Sequence, residues 1–334
     1  LSLIDWNNAH DPLRKIVIAD QRELKGGGSL DPSHEKDYTK LPGLQYKYQQ
    51  TGLLLLSDVC GGICRFRFRK RLFVNCERET VKDVSRGLEY IRTHPEITNV
   101  LLTGGDPLIL ETSYLERILK ELREIPHVNI IRIGSKIPAY NPFRILSDPS
   151  LLQVLSRYST VEKRIYLMAH FNHPNELTTQ SLQALEQLHL AGVIVVNQTP
   201  VLNGVNSYPE TFTRLFRRLS FSGVTPYYVF QCRPSLGNKL FQVPVEQSYQ
   251  VIQQAWQACS GLAKRARFVM SHATGKIEVV GRQAGCVFMR YHQAAEKALI
   301  GKFMVMKSNP HALWFDDYRE MPLETPAPRK VWLF

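Results

Sequence analysis

Short apolar runs alternate along this chain with longer stretches of helical period. LLLLSD (53–58), TNVLLT (98–103), NIIRIG (129–134), RIYLMAH (164–170), VIVVNQ (193–198) and TPYYVFQ (225–231) are of strand length and rich in Leu or β-branched residues. Between them, at 80–93, 113–124, 180–191 and 209–220, apolar residues recur three or four apart, and Leu115, Ile118, Leu119 and Leu122 make one such face. Strands interleaved with helices in this way predict right-handed βαβ units and a parallel sheet curved towards a barrel. Six units predict a partial barrel rather than a closed one of eight.

The flanks break this rhythm. Residues 1–50 are polar and interrupted by Pro12, Pro32, Pro42 and the run from Gly26 to Ser29, which predicts an N-terminal arm with little regular structure, wrapped around the domain. After Gln231 the pattern becomes a helix around Val245 to Ser260, then short strands near Arg267 to Met270, Ile277 to Val280 and Lys302 to Lys307, an α+β cap. The expected division is an arm at 1–50, a partial barrel at 51–235 and a C-terminal capping region at 236–334. No internal repeat interrupts it.

Composition narrows the class. The 334 residues carry 42 Lys+Arg against 30 Asp+Glu, a net +12, with 44% apolar and 22% charged residues. That is an enzyme-sized globular chain and excludes a disordered protein or a small disulfide scaffold. The longest apolar runs, such as Leu53 to Leu56 and Val193 to Val196, fall short of the roughly 18–20 residues of a membrane span. The opening LSLIDWNNAHDP has no secretory pattern, and six unevenly spaced Cys suit a reducing compartment, so a cytoplasmic protein is expected. The positive charge admits a nucleic-acid partner, with Phe66, Phe68 and Phe73 as stacking groups in the basic segment at 65–71. A loop whose Phe residues face the core explains the same alternation better.

Two segments after strands carry candidate chemistry. In DVCGGICRFRFRKRLF, Cys60 and Cys64 lie four apart ahead of a guanidinium cluster, a metal or iron–sulfur arrangement or a pair of free thiols in a loop. In LLTGGDP, Gly104 and Gly105 allow close backbone approach and exposed N–H groups while Asp106 fixes the turn, which is also how an ordinary strand-to-helix turn is built.

Taken in order, DVCGGICRFRFRKR, LLTGGDPLIL, IRIGSKIPAYNPFRI, HFNHPNELT, NQTPVLNGVN, PYYVFQC and the Gly-Lys pair at 275–276 resemble the lysine 2,3-aminomutase family of radical S-adenosylmethionine (SAM) enzymes, over roughly residues 40–320. The resemblance implies a partial (β/α)6 radical-SAM barrel and three cofactors: a 4Fe-4S cluster, SAM and pyridoxal 5'-phosphate (PLP). Cys60 and Cys64 match the first two positions of the family's CxxxCxxC cluster motif; the third falls on Arg67, which has no lone pair for iron. Cys76, nine residues further on, is the alternative thiolate.

Gly104, Gly105 and Asp106 match the turn that receives the SAM amino group. His170 and Gln198 match positions lining the SAM and cofactor pocket, where such residues can equally satisfy buried backbone groups. Lys276 matches the lysine that forms a Schiff base with PLP, and Lys47 stands where an Arg grips the PLP phosphate. Arg69 matches the Arg that pairs with the substrate α-carboxylate. Where lysine-specific members carry two Asp for the distal ammonium, this chain has Arg233 and Val269, which disfavours lysine and suits a distal carboxylate such as that of glutamate. Tyr208 stands at the first structural-zinc position and no Cys lies beyond Cys286, so no zinc site is expected.

The leading reading is therefore a radical isomerase that moves an amino group from carbon 2 to carbon 3 of an amino acid. It implies an electron donor such as flavodoxin or ferredoxin and a homo-oligomer, with no membrane or nucleic-acid partner. Two other readings stand beside it: a catalytically silent member that retains PLP or SAM binding, and a basic nucleic-acid-binding module.

Overall fold

Strands β1 (Thr39–Leu41), β2 (Leu44–Tyr48) and β3 (Thr51–Ser57) form an antiparallel meander that opens the single sheet of the computed structural model, which describes residues 1–74 and 79–322. From β3 the pairing turns parallel through β4 (Asn99–Gly104), β5 (Ile130–Ser135), β6 (Ile165–Ala169), β7 (Ile194–Pro200), β8 (Thr225–Phe230) and β9 (Arg267–His272). It turns antiparallel again through β10 (Gly275–Gln283), β11 (Cys286–Ala294) and β12 (Phe303–Lys307). The spatial order follows the chain from β1 to β12. The six strands expected from the apolar runs are β3 to β8, covered by helices as βαβ crossovers require.

The helices are α1 (Pro12–Val17), α2 (Arg71–Val74), α3 (Ser85–Arg92), α4 (Thr112–Arg123), α5 (Ile137–Tyr140), α6 (Phe143–Leu146), α7 (Pro149–Tyr158), α8 (Thr179–Leu190), α9 (Pro209–Phe221) and α10 (Val245–Gln257). The stripe Leu115, Ile118, Leu119 and Leu122 on α4 is fully buried in the core that α3, α4, α7 and α8 share with the parallel strands. Side-chain caps start α1, α7 and α8: Asp11 accepts from the Arg14 amide, Asp148 from the Leu151 amide and Thr178 from the Ser181 amide. A second core joins α9 and α10 to β9–β12.

Two expectations need correction. Residues 1–50 are not without regular structure, because β1 and β2 extend the sheet and α1 buries Leu13 and Ile16. The helix expected at 80–93 begins only at Ser85, because the Val81 amide donates to the Leu55 carbonyl and holds that segment against the sheet. Between β5 and β6 the crossover is divided into α5, α6 and α7, with Pro138 in the first turn of α5, Pro142 just before α6 and Pro149 opening α7. Pairing passes without a break from β2 to β3 and from β8 to β9, through the positions near 50 and 235 where the composition changes. Among the described residues no helix is long and apolar enough to cross a membrane.

Candidate active site

The carboxyl ends of the parallel strands and the first turns that follow them enclose one cavity of about 330 Å³. Every candidate residue described here lines it: Lys47, Cys60, Cys64, Arg69, Gly104, Gly105, Asp106, His170, Gln198, Arg233 and Lys276. Cys76 lies outside the described residues.

At one end, Lys276 enters from the start of β10. Its Nζ donates to Gln293 Oε1 at 2.8 Å, from the position paired with it on β11, and lies 4.5 Å from the Tyr48 ring centre and 5.5 Å from that of Tyr228. Burial, then Arg132, Arg233 and Lys47, hold its pKa well below the ordinary lysine value. A lysine so placed gives up its proton more readily than an exposed one, which is the condition for a nucleophilic amine. Lys47 on β2 donates to the His272 carbonyl at 2.7 Å, and burial, then the Arg233 charge, bring it down to about 8.

Arg233 follows β8. Its guanidinium lies 3.5 Å from the Phe68 ring centre, burial lowers it to about 10, and its Nη1 is buried without a partner. Arg233 lines the cavity, and a buried guanidinium nitrogen without an acceptor is a donor still available to an anion. Arg69 is differently committed. Its Nε and Nη2 make a two-pronged pair with Glu35 at 2.8 and 2.7 Å, so the fork expected for a substrate carboxylate holds one from the arm. Burial opposes ionisation of Glu35, yet Arg69 and Arg71 keep its carboxyl at about 2.

At the other end of the cavity lies the cysteine loop. Arg67 extends from it, donating from Nη1 to Cys60 Sγ at 2.9 Å and from Nη2 to the Gly104 carbonyl, and its guanidinium lies 4.4 Å from the Phe73 ring centre. Tyr140 Oη and Cys64 Sγ are 3.2 Å apart. Burial raises the Cys60 thiol even though Arg67 pulls the other way. No group of three or more His, Cys, Asp or Glu among the described residues is arranged to hold a metal ion.

The glycine turn differs from expectation. The Gly105 amide donates to the Ser57 carbonyl and the Asp106 amide to that of Val59, so these N–H groups face the chain's own cysteine loop, not a ligand. Gly105 is required there, since a Cβ would stand 2.0 Å from the Val59 carbonyl oxygen, and Gly104 takes φ +114°. Asp106 fixes the turn, accepting from the Leu108 amide at 3.1 Å and the Lys136 amide at 2.7 Å. His170 is held neutral, down at about 3, by burial and then by Lys136 and Arg67, and its ring stacks 6.0 Å from that of Phe66.

The basic run at 65–71 is spent inside the chain. Arg65 pairs with Glu23 at 2.8 Å, Arg69 with Glu35, and Arg71, 1% exposed, with Glu79, Glu35 and Asp31 at 2.8, 2.8 and 3.3 Å. Arg65, Arg69 and Arg71 are thus neutralised, and Phe66 faces the core. Nothing in this segment favours a nucleic-acid reading.

Sequence reasoning missed several lining residues. Arg132, on β5, donates from Nε to Asn99 Oδ1 at 2.8 Å beside the cavity, and its signal was a charge inside the apolar run NIIRIG. Glu35, Tyr48 and Gln293 carried no local signal.

No family model matches the chain. It is 55% identical over 324 residues to the "Putative L-lysine 2,3-aminomutase" of Aquifex aeolicus, covering 97% of this chain and 87% of that one. The chain belongs to the lysine 2,3-aminomutase family. Within that family it is 40% identical to the L-lysine 2,3-aminomutase of Clostridium subterminale, over 76% of this chain and 60% of the relative. It is 35% identical to the glutamate 2,3-aminomutase of Clostridioides difficile, over 79% and 61%. The chain therefore spans about 60% of the length of these two clostridial members. Among solved structures it is similar to Streptococcus suis SuiB bound to S-adenosylmethionine at a TM-score of 0.47 and 13% identity, over 67% of this chain and 51% of that one. Aminomutases are isomerases, the enzyme class to which the family assigns this chain.

Proposed function

We propose that this aminomutase-family protein binds PLP on Lys276 and, beside it, an α-amino acid with a second carboxylate, the pair of ligands on which a 2,3-amino migration operates. The observation that carries the reading is Lys276: depressed in pKa, flanked by two tyrosine rings and surrounded by cations that favour an anionic partner. The residues fit the cofactor. Lys276 supplies the amine, and Lys47 the point charge for a phosphate. When bound, PLP supplies an electron sink adjoining the substrate nitrogen.

This chain's own groups orient the amino acid. The free Nη1 of Arg233 takes the distal carboxylate, while Arg69 takes the α-carboxylate in exchange for Glu35. Tyr48 and Tyr228 wall the amine from water. A lysine side chain would instead place its ammonium against Arg233, which also favours glutamate as the substrate class. The 4Fe-4S cluster does not fit as well, since Cys60 and Cys64 offer two thiolates where the family motif has three and Arg67 stands at the third position.

The test is calorimetric binding of glutamate and of lysine to the PLP-loaded protein and to Arg233→Asp. The native protein is expected to favour glutamate by about tenfold or more, the value of one charge-assisted pair, and the variant to reverse the order. Equal affinities, or preference for lysine in the native protein, would sink the substrate assignment.

A further inference from the structure

Arg67 stands at the third position of the cysteine motif, and its two terminal nitrogens reach a thiol of the loop and a carbonyl of the neighbouring turn, while its Nε is buried without a partner. Nη1 meets Cys60 Sγ at 2.9 Å, and Nη2 meets the Gly104 carbonyl in the turn after β4. The face of the guanidinium is covered by the Phe73 ring, and the second thiol, Cys64, has Tyr140 Oη at 3.2 Å. Both thiols thus have protein partners, and the turn has given its Gly104 carbonyl to a side chain. A planar fork that bridges two chain segments does structurally what a bridging metal centre does, tying loop to strand end through directional contacts.

We propose that the Arg67 guanidinium replaces the iron–sulfur centre as the brace of the cysteine loop, so that the protein reaches its folded, PLP-binding form without iron and leaves no room for a cluster or for a SAM ammonium at Gly104. This deepens the reading of the pocket given above in one respect, that PLP binding at Lys276 persists when the cluster half of the site is closed. Arg67 is a positioning residue. It touches neither PLP nor the amino acid, and its effect passes through Cys60 and Gly104.

The experiment takes the full chain and the variants Arg67→Cys and Arg67→Ala through anaerobic reconstitution with iron and sulfide. It reads iron per chain, the thermal midpoint with and without a chelator, and the visible PLP band. The native chain is expected to hold less than about one iron and the Cys variant about four, the content of a single cluster. The native midpoint is expected to ignore the chelator, and the Cys variant's to fall with it. Arg67→Ala should hold no iron and melt about 2–4 °C lower or more, having lost both contacts.

Four irons in the native chain would overturn the proposal. So would an unchanged midpoint in Arg67→Ala, or a Cys variant that shows the PLP band yet takes no iron. The PLP band separates this result from the functional reading: its absence in the native chain would fail that reading whatever the iron content.

Discussion

In the proposed reading two lysines divide the work of holding PLP, one as the nucleophile and one as a charge for the phosphate. Lys276 must lose its proton to react, and burial with three neighbouring cations pushes its pKa in that direction. Lys47 must be charged to meet a phosphate, and its depressed value of about 8 makes that conditional. Affinity for PLP is expected to fall as pH rises through about 8, by up to about tenfold per pH unit once the single proton is lost. Stability of the PLP-free protein moves the other way. The unfolded lysine keeps its proton up to 10.5, so between about 8 and 10.5 the unfolded state binds more protons and this group's contribution to folding rises with pH. Lys47→Arg, charged throughout, should flatten the binding profile; titrating both proteins with PLP across this range checks it. Lys276 and Lys47 were legible because the family pattern marks them. Glu35 was not, because its partner Arg69 lies 34 residues away and only the fold brings the two together.

At the scale of elements, the cysteine loop and the turn after β4 form one unit. The Gly105 and Asp106 amides donate to the Ser57 and Val59 carbonyls, and Arg67 crosses back to Gly104. Gly105→Ala would force a Cβ to 2.0 Å from the Val59 oxygen. It is expected to destabilise the protein by about 1–3 kcal/mol, the usual cost of overpacking, read as a lower urea midpoint at unchanged slope. A midpoint equal to the native one would show that the two segments do not depend on this approach. The six barrel strands were readable because β3 to β8 are rich in Leu and β-branched residues that pack into the core, with polar residues such as Arg132 and Gln198 where the sheet lines the cavity. β11 was not, since its alternation mixes Arg290, His292 and Gln293 with buried Val287, Met289 and Tyr291, and half of it faces polar surroundings. The proline-divided crossover hid from a helical period for the same kind of local reason: each piece is too short to repeat its pattern.

Across the whole molecule, the arm closes the site. Ser29 bridges to Ser235, Ser33 Oγ donates to the Ser271 carbonyl at 2.8 Å, Tyr38 Oη to that of Ala273 at 2.9 Å, and Asp31 and Glu35 meet the buried Arg71. An arm read from composition as irregular is thus a wall of the cavity, supplying Lys47, Tyr48 and the carboxylate on Arg69. Its role escaped the sequence because each of these contacts joins positions about 200 residues apart or depends on a basic loop whose direction periodicity does not record. The proposed function requires that this assembled cavity carry PLP on one particular lysine. Reducing the PLP-loaded protein with borohydride fixes the cofactor to whichever amine holds it, and peptide mapping then names the site. One label is expected, on Lys276, lost in Lys276→Ala; a label spread over surface lysines, or undiminished in that variant, would contradict PLP binding at this site.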